Sequence, residues 1–220
     1  MTYTAIIPVK KNSSRLPGKN LLPLGGKSLL ERKIKQIQRS DIANRIIVSS
    51  DSDEMLNLGL KLGVDVVERP KHFADETRPL SEFFRYVTDL FDEKNMIWAC
   101  VTSPFFDEVL MKKAKKIYSE KIGSEIDSLI AAYRFKHYLL NKSGPVNYGL
   151  GDEHKNSQDL EDIDLFTNGI LIAPRESVRK WGYNYGPKHF RLYVNQIQSL
   201  DIDTSEDYEI AKTYLRMLQK

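Results

Sequence analysis

The 220-residue sequence is poor in several things, and each shortage excludes a class of protein. Cysteine occurs once, at Cys100, so no disulfide can form within the chain, and a reducing compartment, the cytoplasm, is the expected setting. Charge of neither sign dominates. Thirty-three Lys and Arg against thirty Asp and Glu leave +3, which argues against a surface built for nucleic acid. The apolar runs are strand-sized, far short of the roughly 20 residues a membrane helix needs. The opening "MTYTAIIPVKKNSS" lacks a cationic segment followed by a long apolar one, so no signal peptide is expected. The four histidines, His72, His137, His154 and His189, have no metal-ligand spacing, which speaks against zinc. A Walker A loop is missing as well. "GGKS" at 25–28 ends like one, but Leu21 stands where its first glycine belongs.

What is present is a regular alternation of two periodicities. "YTAIIPV" (3–9), "RIIVSS" (45–50), "VDVVER" (64–69), "MIWACV" (96–101) and "SLIAAYRF" (128–135) read as strands. Between them, "SLLERKIKQIQRS" (28–40) carries Leu29, Leu30, Ile34 and Ile37 on one helical stripe, with Ser28 placed as its cap. Helices are also predicted over 53–63, stopped by Gly63, and over 80–93 and 107–121. "FTNGILIAP" (166–174) and "FRLYVN" (190–195) resume strand character, and 199–218 reads as a strand end feeding a final helix. This rhythm predicts one α/β domain over 1–220, a doubly wound, mostly parallel sheet with helices on both faces. The polar, irregular stretch 136–164 breaks the pattern and reads as an insertion or dimerisation element.

Ligands in such sheets bind beyond the carboxyl ends of the strands, and three polar stretches fall there. The first, "IPVKKNSSRLPGKN" (7–20), holds Lys10, Lys11, Arg15 and Lys19 around a Pro-Gly turn, with Ser13 and Ser14 as further donors. Four cations in ten residues need an anion or solvent, so the loop is either solvated or a cradle for a polyphosphate. The second and third are "SSDSD" (49–53) and "TSPFFD" (102–107). Near the C-terminus, Asp201 and Asp203 flank Ile202. On an extended chain both carboxylates face one way, and such a pair suits a divalent cation such as magnesium. The competing reading is that these acids, with Thr204 or Ser205 as cap, only begin a helix. Cys100, inside an apolar run, reads as core filling.

In this order the stretches resemble the cytidylyltransferases that activate acidic sugars, the acylneuraminate (CMP-sialic acid synthetase) family, related to the Kdo cytidylyltransferases. "IPVKKNSSRLPGKN" resembles that family's nucleotide loop, "VSSDSDE" its second strand-end motif and "ERPKHFADET" its Arg-Pro segment. "TSPF" resembles its Thr-Ser-Pro turn, "TNGILI" its Asn-Gly strand and "SLDIDTSEDYEIA" its Asp-x-Asp metal signature.

The resemblance implies a nucleotidyltransferase fold and transfer of CMP from CTP to the anomeric hydroxyl of an acidic sugar, with release of pyrophosphate. It implies that Lys10, Arg15 and Lys19 hold the triphosphate, with Ser13 and Ser14 beside them. Asn20, Arg69, Thr77 and Arg78 would form the cytidine pocket, and Asp201 and Asp203 would bind Mg2+. Thr102, Ser103, Arg134, Lys155, Gln158 and Asn168 would meet the acceptor, and a homodimer would place 136–164 at the partner's acceptor pocket. Two departures bear on the acceptor. Cys100 stands where the family has a glutamine, and "KNSQDL" (155–160) lacks the arginine that grips a sugar carboxylate. Two alternatives stay open: a nucleotidyltransferase of the same fold acting on a sugar or alditol phosphate, and a non-catalytic nucleotide-binding protein.

Overall fold

The computed structural model describes residues 1–73 and 78–218. Seven strands form one sheet: β1 (Tyr3–Pro8), β2 (Arg45–Ser50), β3 (Asp65–Glu68), β4 (Asn95–Trp98), β5 (Ser128–Phe135), β6 (Ile163–Pro174) and β7 (His189–Tyr193). Their order is β7-β5-β6-β4-β1-β2-β3. β1 runs parallel to β2 and β4, β2 parallel to β3, and β7 parallel to β5. β6 alone is antiparallel, wedged between β4 and β5. The mostly parallel sheet expected from the sequence is what forms.

Among the described residues, six helices cover it: α1 (Leu29–Ser40), α2 (Asp53–Lys61), α3 (Leu80–Thr88), α4 (Glu108–Lys121), α5 (Arg175–Trp181) and α6 (Ser205–Leu218). Period-two alternation sends Tyr3, Ala5 and Ile7 of β1 to one face and Ile6 to the other. The first face packs against α1, α4 and α6 through Leu30, Ile34, Met111 and Ala211. The second packs against α3 and α5 through Phe83, Phe84, Val87 and Val178. Helices thus lie on both faces.

Local chemistry explains the boundaries. Ser28 caps α1, its hydroxyl accepting from Glu31 N at 3.1 Å, and Asp107 caps α4 by accepting from Leu110 N at 3.0 Å. Leu29, Leu30, Ile34 and Ile37 are buried, each contributing roughly 1.5–3 kcal/mol of transfer free energy before chain entropy is counted. α3 ends at Thr88, short of the predicted 93, and Thr88 turns its hydroxyl back to the Arg85 carbonyl at 2.6 Å. β4 ends at Trp98, also earlier than predicted. β6 starts three residues earlier than predicted and shifts register between Phe166 and Leu171. Gly169 lies within this irregularity, where a Cβ would lie 2.5 Å from Phe106 Cδ2. The stretch 136–164 holds a two-residue hairpin, Leu140–Asn141 with Gly144–Pro145, and two short 3-10 turns, and is mostly exposed. Among the described residues, no helix is long and apolar enough to cross a membrane.

Candidate active site

Loops following β1, β2, β3 and β4 converge at the carboxyl edge of the sheet, as the topology requires. The β1 loop is held from several sides. Val9 N donates to Ser49 O at 3.0 Å, and Lys11 N to Asp51 Oδ1 at 2.7 Å. Gly18 takes a left-handed conformation (φ 66°), which lets the chain reverse into the short turn Lys19–Leu21. Asn20 is buried there, and its Nδ2 donates to the Lys10 carbonyl at 2.9 Å. Lys10, Ser13, Lys19 and Asn20 then line a pocket of about 230 Å³, closed by Arg69, Cys100 and Thr102.

Asp203 of the acid pair meets the same loop across a separation of more than 180 residues in sequence. Asp203 accepts from Lys19 Nζ and from Arg15 Nη2, both at 2.8 Å. Asp201 accepts from Asn168 Nδ2 at 2.7 Å through Oδ2, while its Oδ1 is buried without a partner. The sequence suggested a strand here. The structure gives irregular extended chain, pinned by Ile202, which is fully buried and donates its N–H to the Thr102 carbonyl at 2.8 Å. The helical alternative also holds in part, because Thr204 and Asp207 cap α6. Asp207 Oδ2 accepts from Asp203 N at 3.0 Å and Thr204 N at 2.8 Å, and Asp207 N donates back to Thr204 Oγ1. Burial pushes Asp207 upward, but the bonds from Thr204 and the backbone N–H of Asp203 outweigh it and hold the carboxyl below its ordinary range.

Arg69 is buried, with its guanidinium 4.4 Å from the centre of the Phe83 ring and Nη2 donating to Ser49 O at 2.8 Å. Its Nε has no partner among the described residues, and burial lowers its pKa to about 10, so it stays charged at neutral pH. Cys100 lies past the end of β4, where it packs against the core cluster around Trp98 and also lines the pocket, so its reading as core filling holds in part. Burial, with Asp201 nearby, pushes its thiol up to about 12, so it is no nucleophile at neutral pH.

A cation-lined pocket opposed by a carboxylate pair suits the binding of a nucleoside triphosphate, and the whole chain can be compared on that basis. The cytidylyltransferase family model matches residues 4–219. The chain belongs to the cytidylyltransferase family. As an enzyme of CTP-dependent nucleotidyl transfer it meets the expectation raised by its sequence. The cytidylyltransferase is 25% identical over 225 residues to the pseudaminic acid cytidylyltransferase of Campylobacter jejuni, covering 96% of this chain and 95% of that one. It is 24% identical over 239 residues to the CMP-N,N'-diacetyllegionaminic acid synthase of Legionella pneumophila, covering 100% of this chain and 99% of the other. In fold it matches CMP:2-keto-3-deoxy-manno-octonic acid synthetase solved with CTP, at a TM-score of 0.71 and 12% identity, over 99% and 100% of the two chains.

Within the cytidylyltransferase, the remaining expected site residues scatter. Ser14 is exposed on the loop. Arg78 pairs with Glu82 at 3.2 Å on the outside of α3, and Thr77 lies outside the described residues. Ser103 is 1% exposed with its hydroxyl sealed from solvent. Arg134 bonds Asp162 at 2.8 Å and the Tyr193 hydroxyl at 2.6 Å, at the far edge of the sheet. The Lys155 and Gln158 carbonyls accept from Tyr138 and Lys136, each at 2.9 Å. Asn168, expected at the acceptor, touches Asp201.

One residue near the site was not singled out from sequence. Lys33 of α1 is fully buried, and its Nζ donates to the Ser103 carbonyl at 2.9 Å. Burial drops its pKa to about 8, with Cys100 the largest influence in the opposite sense. The signal was present, since Lys33 stands four residues from both Leu29 and Ile37 on the buried stripe.

Proposed function

We propose that this cytidylyltransferase couples CMP, from CTP, to the anomeric hydroxyl of a nonulosonic or Kdo-like sugar acid. The observation carrying this is the apposition of Asp203 to Lys19 and Arg15, with Asp201 two residues away and held by Asn168, beside a pocket lined by Lys10, Ser13, Lys19, Asn20 and Arg69. The names of its relatives, which specify pseudaminic, diacetyllegionaminic and N-acylneuraminic acids, support the acceptor class.

Lys10, Arg15 and Lys19 neutralise the triphosphate, and Arg69, fixed by Phe83 and Ser49, supplies a rigid positive charge at the pocket wall. The acceptor oxygen attacks the α-phosphorus, the bond to the β-phosphate bridging oxygen breaks, and pyrophosphate departs as the acceptor's proton is lost to solvent. Such displacements depend mainly on alignment and charge neutralisation. The residues fit magnesium. Asp201 Oδ1 is buried without a partner, and two carboxylates plus phosphate oxygens are a customary magnesium donor set. Asp201 and Asp203 would hold the ion, which when bound polarises the phosphoryl oxygens. The exposed segment 136–164 is offered as the dimer element. A cytoplasmic role in supplying CMP-sugars for surface polysaccharide completes the reading.

The test measures pyrophosphate release with CTP, UTP, ATP and GTP against a panel of these acids, with and without magnesium. Metal-dependent release from CTP and a nonulosonic acid or Kdo is expected. Asp203→Asn should lose turnover by orders of magnitude while folding normally, and near-normal turnover in that variant would sink the metal assignment.

A further inference from the structure

A second cavity, of about 260 Å³, lies against the turn that follows β4 and shares no lining residue with the nucleotide pocket. Its wall includes Lys27, Arg32, Lys35, Gln36 and Arg39, and Pro104 from the turn itself. Thr102, two residues before Pro104, lines the nucleotide pocket, so this one turn borders both cavities.

The cations here are not equivalent. Lys35 is paired with Glu31 at 2.6 Å, and Arg39 is paired with Glu108. The remaining wall carboxylate, Asp107, is turned into the first turn of α4 as its cap. Among the described residues, Lys27 and Arg32 have no carboxylate within ion-pair distance, and Arg32 has only a long contact, 3.5 Å, from Nε to the Pro104 carbonyl. Burial holds the Arg32 guanidinium below its ordinary range, Glu108 opposing this and Arg39 reinforcing it. A partly desolvated guanidinium whose nearest carboxylate influence, Glu108, is already bonded to Arg39 is only partly compensated, and that is costly. Gln36, 3% exposed, adds a second observation: its Nε2 donates to Pro104 O at 2.9 Å, and its Oε1 is buried with no partner.

We propose that this cavity is a second anion site, taking orthophosphate or a small phosphate monoester. Two cations without an ion pair of their own match a dianion, and a guanidinium fork matches phosphate oxygens. The unpartnered Gln36 oxygen accepts from a hydroxyl, which a protonated phosphate or the alcohol of a monoester supplies. A simple carboxylate offers one charge and no donor. The volume sits at the small end of ligand pockets, which restricts the occupant to a compact molecule.

Calorimetric titration of the full chain at pH 8, without metal, tests this with inorganic phosphate, sulfate and glycerol 3-phosphate as probes. Sulfate has the charge and shape of phosphate but no proton to give Gln36, so phosphate should bind about fivefold or more tightly than sulfate. Tighter binding of glycerol 3-phosphate than of phosphate identifies an ester as occupant, and the reverse identifies the free anion. Phosphate also has an entry at the nucleotide loop, so variants separate the two. Lys27→Met and Arg32→Met should each weaken one class of phosphate binding about tenfold, and Arg15→Ala should retain that class. Lys27 lies on a partly exposed hairpin, so its variant carries the test even if Arg32→Met folds poorly. Phosphate binding that disappears in Arg15→Ala and persists in Lys27→Met, phosphate and sulfate binding equally, or no binding at all would overturn the assignment.

Discussion

Replacing Lys33 with methionine should change the way stability depends on pH, and the structure sets both sign and size. The ammonium is fully buried, has one hydrogen bond, to Ser103 O, and has its pKa brought down from 10.5 to about 8. Below pH 8 both folded and unfolded chains carry the proton, and the folded state bears the whole penalty, about 3 kcal/mol for a drop of that size. Between pH 8 and 10.5 the unfolded chain holds a proton that the folded chain has released, so this group's contribution to stability rises with pH. Integrating both titrations from pH 7 to pH 9.5 gives a gain of about 2 kcal/mol. Methionine has no such titration. It removes the charge penalty but strands the Ser103 carbonyl, at a cost of ~1–3 kcal/mol. The two proteins should therefore be similar at pH 7, or the variant more stable, and wild type should gain on it as the pH rises. Tyr118, shifted upward by burial, acts in the opposite sense but is common to both proteins and cancels. Cys100 is coupled to Lys33, but burial pushes it to about 12 and losing Lys33 raises it further, so it stays protonated in both up to pH 9.5. Urea unfolding at pH 7 and 9.5 measures the gap. A gap constant within about 0.5 kcal/mol would refute the idea that Lys33 is a strained buried charge.

Arg15→Ala should weaken CTP binding about tenfold and acceptor binding much less, since Arg15 is exposed and its contact is with Asp203. Titration calorimetry with each substrate checks this, and unchanged CTP affinity would remove Arg15 from the phosphate cradle. Arg69→Met should also cost about tenfold in CTP affinity while keeping the packing on Phe83. If only the melting temperature moved, Arg69 would be a structural residue. Gly169→Ala should destabilise the fold by about 1–3 kcal/mol, because the new methyl meets the Phe106 ring. It should also lower activity, because Asn168, the next residue, holds Asp201. A fully active Gly169→Ala variant of normal stability would show that β6 yields there freely.

Strands and helices were legible wherever one periodicity ran unbroken. Leu29, Leu30, Ile34 and Ile37 announced α1, and the alternation through Tyr3, Ala5 and Ile7 announced β1. The antiparallel course of β6 was not legible, because a buried strand reads as the same apolar run in either direction. Lys33 was hidden by the assumption that charge faces water, although its spacing put it on the buried stripe. In the site, the basic loop and the acid pair were each visible as local sequence. That Lys19 and Arg15 would meet Asp203 is a fact of topology, reachable beforehand only through the family resemblance. The expected acceptor residues fared differently. Asn168 lies at the acid pair, Arg134 is bonded at the far edge of the sheet, and Lys155 and Gln158 lie in the insertion, where their carbonyls accept from Tyr138 and Lys136.

The position of the acid pair comes down to where β4 stops. Past Trp98 the ladder gives out, and three successive carbonyls, of Thr102, Ser103 and Pro104, must find donors elsewhere. Each finds a different one. Thr102 O takes the Ile202 N–H at 2.8 Å, Ser103 O takes Lys33 Nζ at 2.9 Å, and Pro104 O takes Gln36 Nε2 at 2.9 Å. The first bond fixes the residue between Asp201 and Asp203, and so helps to set Asp203 against the basic loop and Asp201 against Asn168. The other two tie the same turn to α1, whose N-terminus follows that loop. A buried lysine is tolerated here because the turn offers it an otherwise orphaned carbonyl, and its cost is the rigidity of the junction. Loop, acid pair and helix are therefore referenced to one turn of three residues. A substitution that released any one carbonyl should disturb the acid pair even without touching it.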